Sequence, residues 1–260
     1  MSTVHGGQGN IIKEGLIFWL DSANPKSFAP PYTTTTWRSL DSNSNSVTLT
    51  NGPTFSTDFG GIITFDGTDD GLGQSQLFSP SIRNGNISGE TPNIDFELTF
   101  EMVIRFKENL TGTTTFFRTD ATSFRTPPIA LYRIVGNPTN NLLSGAGYTN
   151  TTGGSVTVIT SFIPYNLNQW YHVIMSMRKT SPTTGEWFVM RNGIILAQQT
   201  LNDISWWQNY SSSVSNNGNR VQAMTGVVNH DRAIMRLYTK GLTQQEALRN
   251  YNATRGRFGI

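Results

Sequence analysis

From Phe96 to Phe106 an apolar side chain falls at every second position, with Phe96, Leu98, Phe100, Met102, Ile104 and Phe106 separated by Glu97, Thr99, Glu101, Val103 and Arg105. A period of two belongs to a β-strand, whose successive side chains point to opposite faces. A helix would scatter those six apolar groups around its girth. The segment therefore predicts a strand with one face in a core and the other facing water.

Further strand signals follow the same logic. The apolar run Gly15 to Leu20 is closed by the turn formers Asp21, Ser22, Ala23, Asn24 and Pro25, and Gly61 to Phe65 runs into Asp66-Gly67-Thr68-Asp69-Asp70. Trp170 to Met177 reads as another strand. Glu186 to Arg191 and Ile194 to Gln198 flank Asn192-Gly193, a pair suited to a type I′ hairpin turn because both residues tolerate φ > 0. Ala233 to Tyr238 suits a last strand. After it, Thr243 and Glu246 are spaced as a capping box, which predicts one helix over Gln244–Thr254 with Ala247, Leu248 and Tyr251 on its buried face and Gly256 as its stop. Many short strands with a single good helix imply two antiparallel sheets packed face to face, and no fixed-period repeat suggests a propeller or solenoid.

Composition narrows the function. A chain of 260 residues can close one large sandwich, and its 14% of charged residues is low for a soluble domain. With a net charge of +2 and scattered Lys and Arg, no basic stripe is available to follow phosphates, so nucleic acid is not an expected partner. There is no cysteine, which removes disulfides, thiolate metal sites and thiol nucleophiles. Met1 to Asn10 has neither the basic nor the apolar region of a signal peptide, and no apolar run is long enough to span a membrane. The Asn-x-Ser/Thr triplets at Asn86, Asn109, Asn150, Asn209 and Asn252 accordingly carry no functional weight. Residues 1–13 read as an N-terminal arm, flexible or ordered by a neighbouring subunit, and residues 14–260 as the sandwich.

Four sets of residues bear on chemistry. Glycoside hydrolysis on such a scaffold needs two carboxylates about 5 to 9.5 Å apart. Glu97 and Glu101 share a strand face, but four residues of strand separate them by about 13 Å, so a solvent-facing strand surface explains them better. Asp66, Asp69 and Asp70 have two readings: oxygen ligands for Ca²⁺, or a polar hairpin turn in which Gly67 supplies φ > 0, the latter favoured because the spacing is not that of a calcium loop. Trp206, Trp207, Asn209 and Tyr210 combine aromatics with amides, which suits sugar stacking and hydrogen bonding, or equally a subunit contact or core cap. His5, His172 and His230 are isolated and read as ordinary hydrogen-bonded histidines. No catalytic constellation emerges. The chain reads as a non-enzyme with no cofactor, Ca²⁺ being the one candidate ion.

Taken in order, several fragments resemble a known family. They are Gly15-Leu16 with Trp19-Leu20-Asp21, Asn24-Pro25-Lys26-Ser27, Thr36-Trp37, Asn51-Gly52-Pro53, Phe65-Asp66-Gly67-Thr68-Asp69-Asp70, Trp170-Tyr171-His172-Val173, Arg191-Asn192-Gly193, and Leu242-Thr243 with Glu246 and Asn250-Tyr251-Asn252-Ala253. The resemblance is to the laminin-G-like jelly rolls of the concanavalin A-like lectin and glucanase superfamily, especially those of phage particles. It covers nearly the whole chain, and departs at Gly71, where the family usually has an aromatic. It implies an all-β, two-sheet antiparallel jelly-roll sandwich with one short C-terminal helix. Taken with the cysteine-free chain, the short N-terminal arm and the absence of catalytic groups, the resemblance leads to the expectation of a phage virion structural protein, a capsid decoration or head-fibre subunit acting by protein–protein adhesion in a symmetric assembly. The alternative is a carbohydrate-binding adhesin that recognises host surface glycans. The expected partners are other virion proteins and host glycans, and the expected location is the virion.

Overall fold

The computed structural model describes residues 11–41, 45–72, 97–109, 115–120, 131–137, 141–149, 156–202, 220–222 and 228–260. In chain order the first strands are β1 (Leu16–Asp21), β2 (Thr36–Arg38), β3 (Ser46–Thr50), β4 (Thr54–Ser56), β5 (Ile62–Asp66), β6 (Gly71–Leu72), β7 (Leu98–Phe106) and β8 (Thr115–Asp120). The rest are β9 (Leu131–Asn137), β10 (Asn141–Thr149), β11 (Val156–Pro164), β12 (Trp170–Lys179), β13 (Thr184–Arg191), β14 (Ile194–Asn202), β15 (Arg220–Gln222) and β16 (Asn229–Tyr238), followed by α1 (Gln244–Phe258).

All pairings among the described strands are antiparallel. The largest sheet has eight strands in the order β14-β13-β12-β7-β16-β5-β4, with β1 also paired to β16. Along one side of β16, β5 pairs with Asn229 to Arg232 and β1 takes over from Ile234 to Tyr238. The change of partner coincides with a bulge at Ala233. An extra residue resets the side-chain alternation. His230 and Arg232 therefore face inward before the bulge, and Met235 and Leu237 after it.

The sequence period becomes burial at β7. Leu98, Phe100, Met102, Ile104 and Phe106 share one apolar cluster with Tyr171, Val173, Met175 and Met177 of β12. The opposing layer comes in two pieces, a three-stranded sheet β2-β3-β6 and a five-stranded sheet β11-β10-β9-β8-β15. Trp37, Val47, Leu49 and Leu72 of the first and Phe116 and Ile163 of the second complete the same cluster. Two layers thus enclose one core, and the chain is an all-β antiparallel sandwich with one C-terminal helix.

The outer face of β7 does not meet water as its alternation suggests. Thr99, Glu101 and Val103 are all buried, because α1 lies across this side of the sheet. At one end of the helix Ala247 packs on Ile174, Phe188 and Met190. At the other, Phe258 packs on Ile62, Val103, Trp170 and Ile234. Alternation in sequence marks one apolar face but says nothing about what covers the polar one.

The helix starts where its capping box places it, with the Thr243 side chain accepting from the Glu246 N–H and the Glu246 carboxylate accepting from the Thr243 N–H. It runs beyond the expected Thr254, passing Gly256 and stopping at Gly259, whose φ of 67° is left-handed. Its buried face is Ala247, Asn250, Tyr251, Thr254 and Phe258, whereas Leu248, expected inside, is exposed. The N-terminal segment lies alongside: Ile11 is buried and the Ile12 N–H donates to Asn250 Oδ1 at 2.8 Å.

The Asn192-Gly193 hairpin forms as its residues require, with φ of 49° and 78°. Asn192 also ties the turn to β12, its Oδ1 accepting from the His172 N–H at 2.7 Å. A side chain at Gly193 would lie 2.6 Å from the Tyr251 ring. Gly193→Ala is therefore expected to lower the unfolding free energy by about 1–3 kcal/mol, from left-handed backbone and steric overlap together, measured by urea denaturation.

Candidate functional site

The charged residues of the outer sheet face are gathered under α1. Glu101, fully buried, receives the Arg236 guanidinium on Oε1, together with His172 Nε2 at 2.8 Å. Its other oxygen accepts from Asn250 Nδ2 at 2.8 Å and from the Tyr238 hydroxyl at 3.4 Å. Asn250 also donates to the Tyr238 hydroxyl oxygen at 2.9 Å. The residues come from β7, β12, β16 and α1, up to 149 positions apart in sequence.

Burial alone raises a carboxyl group, but the Arg236 charge and the His172 and Asn250 hydrogen bonds outweigh it and hold Glu101 down to about 2. Glu101 is thus a carboxylate, and His172 Nε2 carries the donated proton. Tyr238 is pushed up by burial and by the neighbouring Glu101 charge, so its hydroxyl stays protonated. The expectation that Glu101 lies on a solvent-facing surface is corrected. Glu97 is occupied as well: its two oxygens accept the backbone N–H groups of Lys179 at 2.9 Å and Gly241 at 3.0 Å, pinning the end of β12 and the segment before α1.

This hub was not seen from the sequence. Its signal was present in the form of a Glu, a His and an Arg inside otherwise apolar strands, with Asn250 at a buried helix position. Their convergence depends on strand order and could not be read from spacing.

A second polar group lies on the inner face. His230 stacks on Phe65 at 4.6 Å and its Nδ1 donates to the Val228 carbonyl at 2.8 Å, the ordinary hydrogen-bonded role expected of it. Burial, aided by the Arg232 charge, pulls its imidazole well below the usual range. Burial likewise pulls Arg232 down to about 9.

The acidic turn after β5 is assembled, with carboxylate oxygens of Asp66, Asp69 and Asp70 within 4.8 Å of one another. The same groups make turn bonds. Asp66 Oδ1 accepts the Thr68 N–H at 2.7 Å, Asp70 Oδ2 accepts the Asp66 N–H at 2.9 Å, and Asn51 Nδ2 donates to the Asp69 carbonyl at 2.7 Å. Gly67 takes φ 81°, and a side chain there would meet the Asn229 backbone. Burial pushes the Asp70 carboxyl up, with the Asp66 and Asp69 charges adding to it. The three carboxylates offer oxygens to a divalent cation, while turn bonds engage the carboxylates of Asp66 and Asp70 and the backbone carbonyl of Asp69. Trp206, Trp207, Asn209 and Tyr210 lie outside the described residues.

No protein-family model matches the chain, and no curated protein matches it by sequence. Among solved structures it is similar to Trypanosoma rangeli sialidase, at 12% identity and TM-score 0.56 over 95% of this chain and 34% of that one. It is also similar to the binding domain of botulinum neurotoxin DC in complex with rat synaptotagmin II, at 12% identity and TM-score 0.56 over 92% of this chain and 52% of that one. A third similar structure is that of botulinum neurotoxin type C described in terms of two ganglioside molecules, at 11% identity and TM-score 0.57, over 92% of this chain and 51% of that one. The chain thus spans about a third to a half of these proteins. At such identities the likeness establishes a lectin-like β-sandwich fold and nothing of its chemistry.

The titrations predict how stability follows pH. The folded-state shift of Glu101 below its ordinary 4.5 contributes stability that is complete above pH 4.5 and is lost as pH falls toward 2. His230, depressed from 6.5, contributes a loss that begins as pH falls through 6.5. Melting temperature against pH should show both declines, with His230→Phe removing the upper one and Glu101→Gln the lower. Arg236→Met, which strips Glu101 of its cation, should cost about 3–5 kcal/mol in chemical denaturation. If the acidic turn holds itself by its own bonds, a chelator leaves the melting temperature unchanged; a Ca²⁺-dependent rise assigns the turn to the ion.

Proposed function

We propose that the chain is a recognition module working by adhesion, not catalysis, on the surface of a phage particle, as a capsid decoration or head-fibre subunit of the laminin-G-like type. The observation that carries this reading is the fate of the carboxylates on the outer face of β7. Glycosidic bond cleavage needs a free acid and a free base across a sugar. Glu101 is instead sealed beneath α1 in a neutralised hub, and Glu97 is committed to two backbone N–H groups. The family fragments support the virion assignment. Trp19-Leu20-Asp21 closes β1, Phe65-Asp66-Gly67 turns out of β5, Arg191-Asn192-Gly193 makes the hairpin, and Thr243 with Glu246 caps α1. In this reading the partners are other virion proteins in a symmetric assembly.

A second reading, a glycan-binding adhesin, is favoured by the similar solved structures, which include a sialidase with sialic acid and a neurotoxin associated with gangliosides. It assigns sugar contact to Trp206, Trp207, Asn209 and Tyr210.

Antibody labelling of the source particle in electron micrographs should show regularly spaced copies on its exterior, and the purified chain should release no reducing sugar from polysaccharides. Exclusion from particles, or turnover of a polysaccharide, overturns the first reading. On a glycan array, binding that Trp207→Ala abolishes establishes the second.

A further inference from the structure

The geometry points to an additional binding site on the outer sheet face, beside the C-terminal end of α1, that takes a carboxylate-bearing sugar. The inference rests on the reading of this chain as a surface-recognition module.

The helix covers the outer face as far as Val103, Ile234 and Trp170, on all of which Phe258 packs. The next row crosses four strands, with Trp170 opposite Arg105, Arg105 opposite Asp231, and Asp231 opposite Thr64. Here the helix ends, and Phe59, next to Phe258, stands over the row from Trp170 to Arg105. Its ring meets Trp170 edge-on at 5.3 Å and the Arg105 guanidinium at 5.4 Å, while that guanidinium also lies 4.9 Å from Trp170.

Acceptors in this row run out before donors do. Asp231 is fully buried; Oδ2 takes Nε and Nη2 of Arg105, and Oδ1 takes Lys107 Nζ at 2.7 Å and the Thr64 hydroxyl at 2.6 Å. Four donors fill the acceptor capacity of one carboxylate. Among the described residues, Arg105 Nη1 is left without an acceptor, and the Trp170 indole N–H, on a side chain 5% exposed, is enclosed without one. Arg105 and Lys107 remain 20% and 31% exposed, within reach of solvent. A solvent-reachable guanidinium with an unused N–H calls for a ligand that brings oxygen acceptors, and a planar carboxylate matches a guanidinium held rigidly by its own ion pair.

The aromatic component indicates a sugar. Phe59 is 38% exposed and holds φ 51°, a left-handed conformation that strains an aromatic residue and persists only where surrounding contacts enforce it. Arg257 supplies one such contact by donating to the Phe59 carbonyl. A ring kept at the mouth of a donor-rich row offers an apolar surface for the C–H face of a pyranose, with its carboxylate directed at Arg105.

The test uses the full chain and chemical-shift titration with N-acetylneuraminic acid and glucuronic acid, against glucuronic acid methyl ester, N-acetylglucosamine and N-acetylglutamate. The acidic sugars should bind at least about tenfold more tightly than the ester, the neutral sugar or the acidic amino acid. Phe59→Gly relieves the backbone strain, so the fold should survive with unchanged or raised melting temperature while acidic-sugar binding falls about tenfold or more. Arg105→Lys keeps the charge opposite Asp231 but removes the fork, and should also lose the preference for acid over ester. Equal binding of acid and ester, equal binding of N-acetylglutamate, no binding of either acidic sugar, or full binding in folded Phe59→Gly protein each overturns the site. None of these results bears on whether the chain sits on a particle, which labelling decides separately.

Discussion

A carboxylate with no access to water survives as an ion only if its partners replace what water supplied, and Glu101 is such a carboxylate. Four side chains from three elements besides its own close around it: a guanidinium, an imidazole N–H, an amide N–H and a phenol. Each of them is useful only if β12, β16 and α1 sit at one particular offset from β7. The hub therefore fixes the placement of the helix on the sheet more sharply than its apolar contacts, which tolerate sliding. Thr99 and Ser176 extend the same principle toward the helix start, their hydroxyls holding Lys240 and Leu242 of the segment that leads into α1.

The consequence is a central sheet covered on both sides, by the second layer of the sandwich within and by α1 without. Such a sheet has little open surface on which to hold a ligand. What remains lies at the margins: the turns at the strand ends, the strip beyond the last turn of the helix, and the sheet edges. Recognition at margins is the usual economy of a rigid scaffold that presents loops and rims. It is also why the fold likeness to a sialidase and to a neurotoxin binding domain carries no chemistry with it, since a shared fold hosts unrelated sites.

Polar groups on the two faces of this sheet serve opposite ends. On the outer face, Glu101 and Asp231 each collect cations and hydroxyls until their acceptor capacity is filled, one under the helix and one just past it. On the inner face, His230 and Arg232 lie against the rings of Phe65 and Phe116, and burial drives both toward their neutral forms. The bulge at Ala233 separates these regimes along β16 by returning apolar Met235 and Leu237 to the inner face.

Much of the backbone was legible in the residues alone. The alternation in β7, the Asn192-Gly193 turn and the capping box of Thr243 with Glu246 are local, because each depends on the conformational preference of a few neighbouring residues, and each appears in the structure where its residues put it. The end of the helix was less legible, since Gly256 is tolerated within it once Phe258 has a hydrophobic seat on the sheet. The burial of Glu101 and the saturation of Asp231 could not be read at all, because they require partners from β12, β16 and α1 or from β5, β7 and the chain just beyond it. By itself the sequence determined that the segment ending at Phe106 extends, that Asn192-Gly193 turns and that a helix starts after Thr243. The tertiary structure alone decided which polar side chains lose their water and what they meet in its place, since desolvation is a property of the assembled layers and not of any stretch of chain.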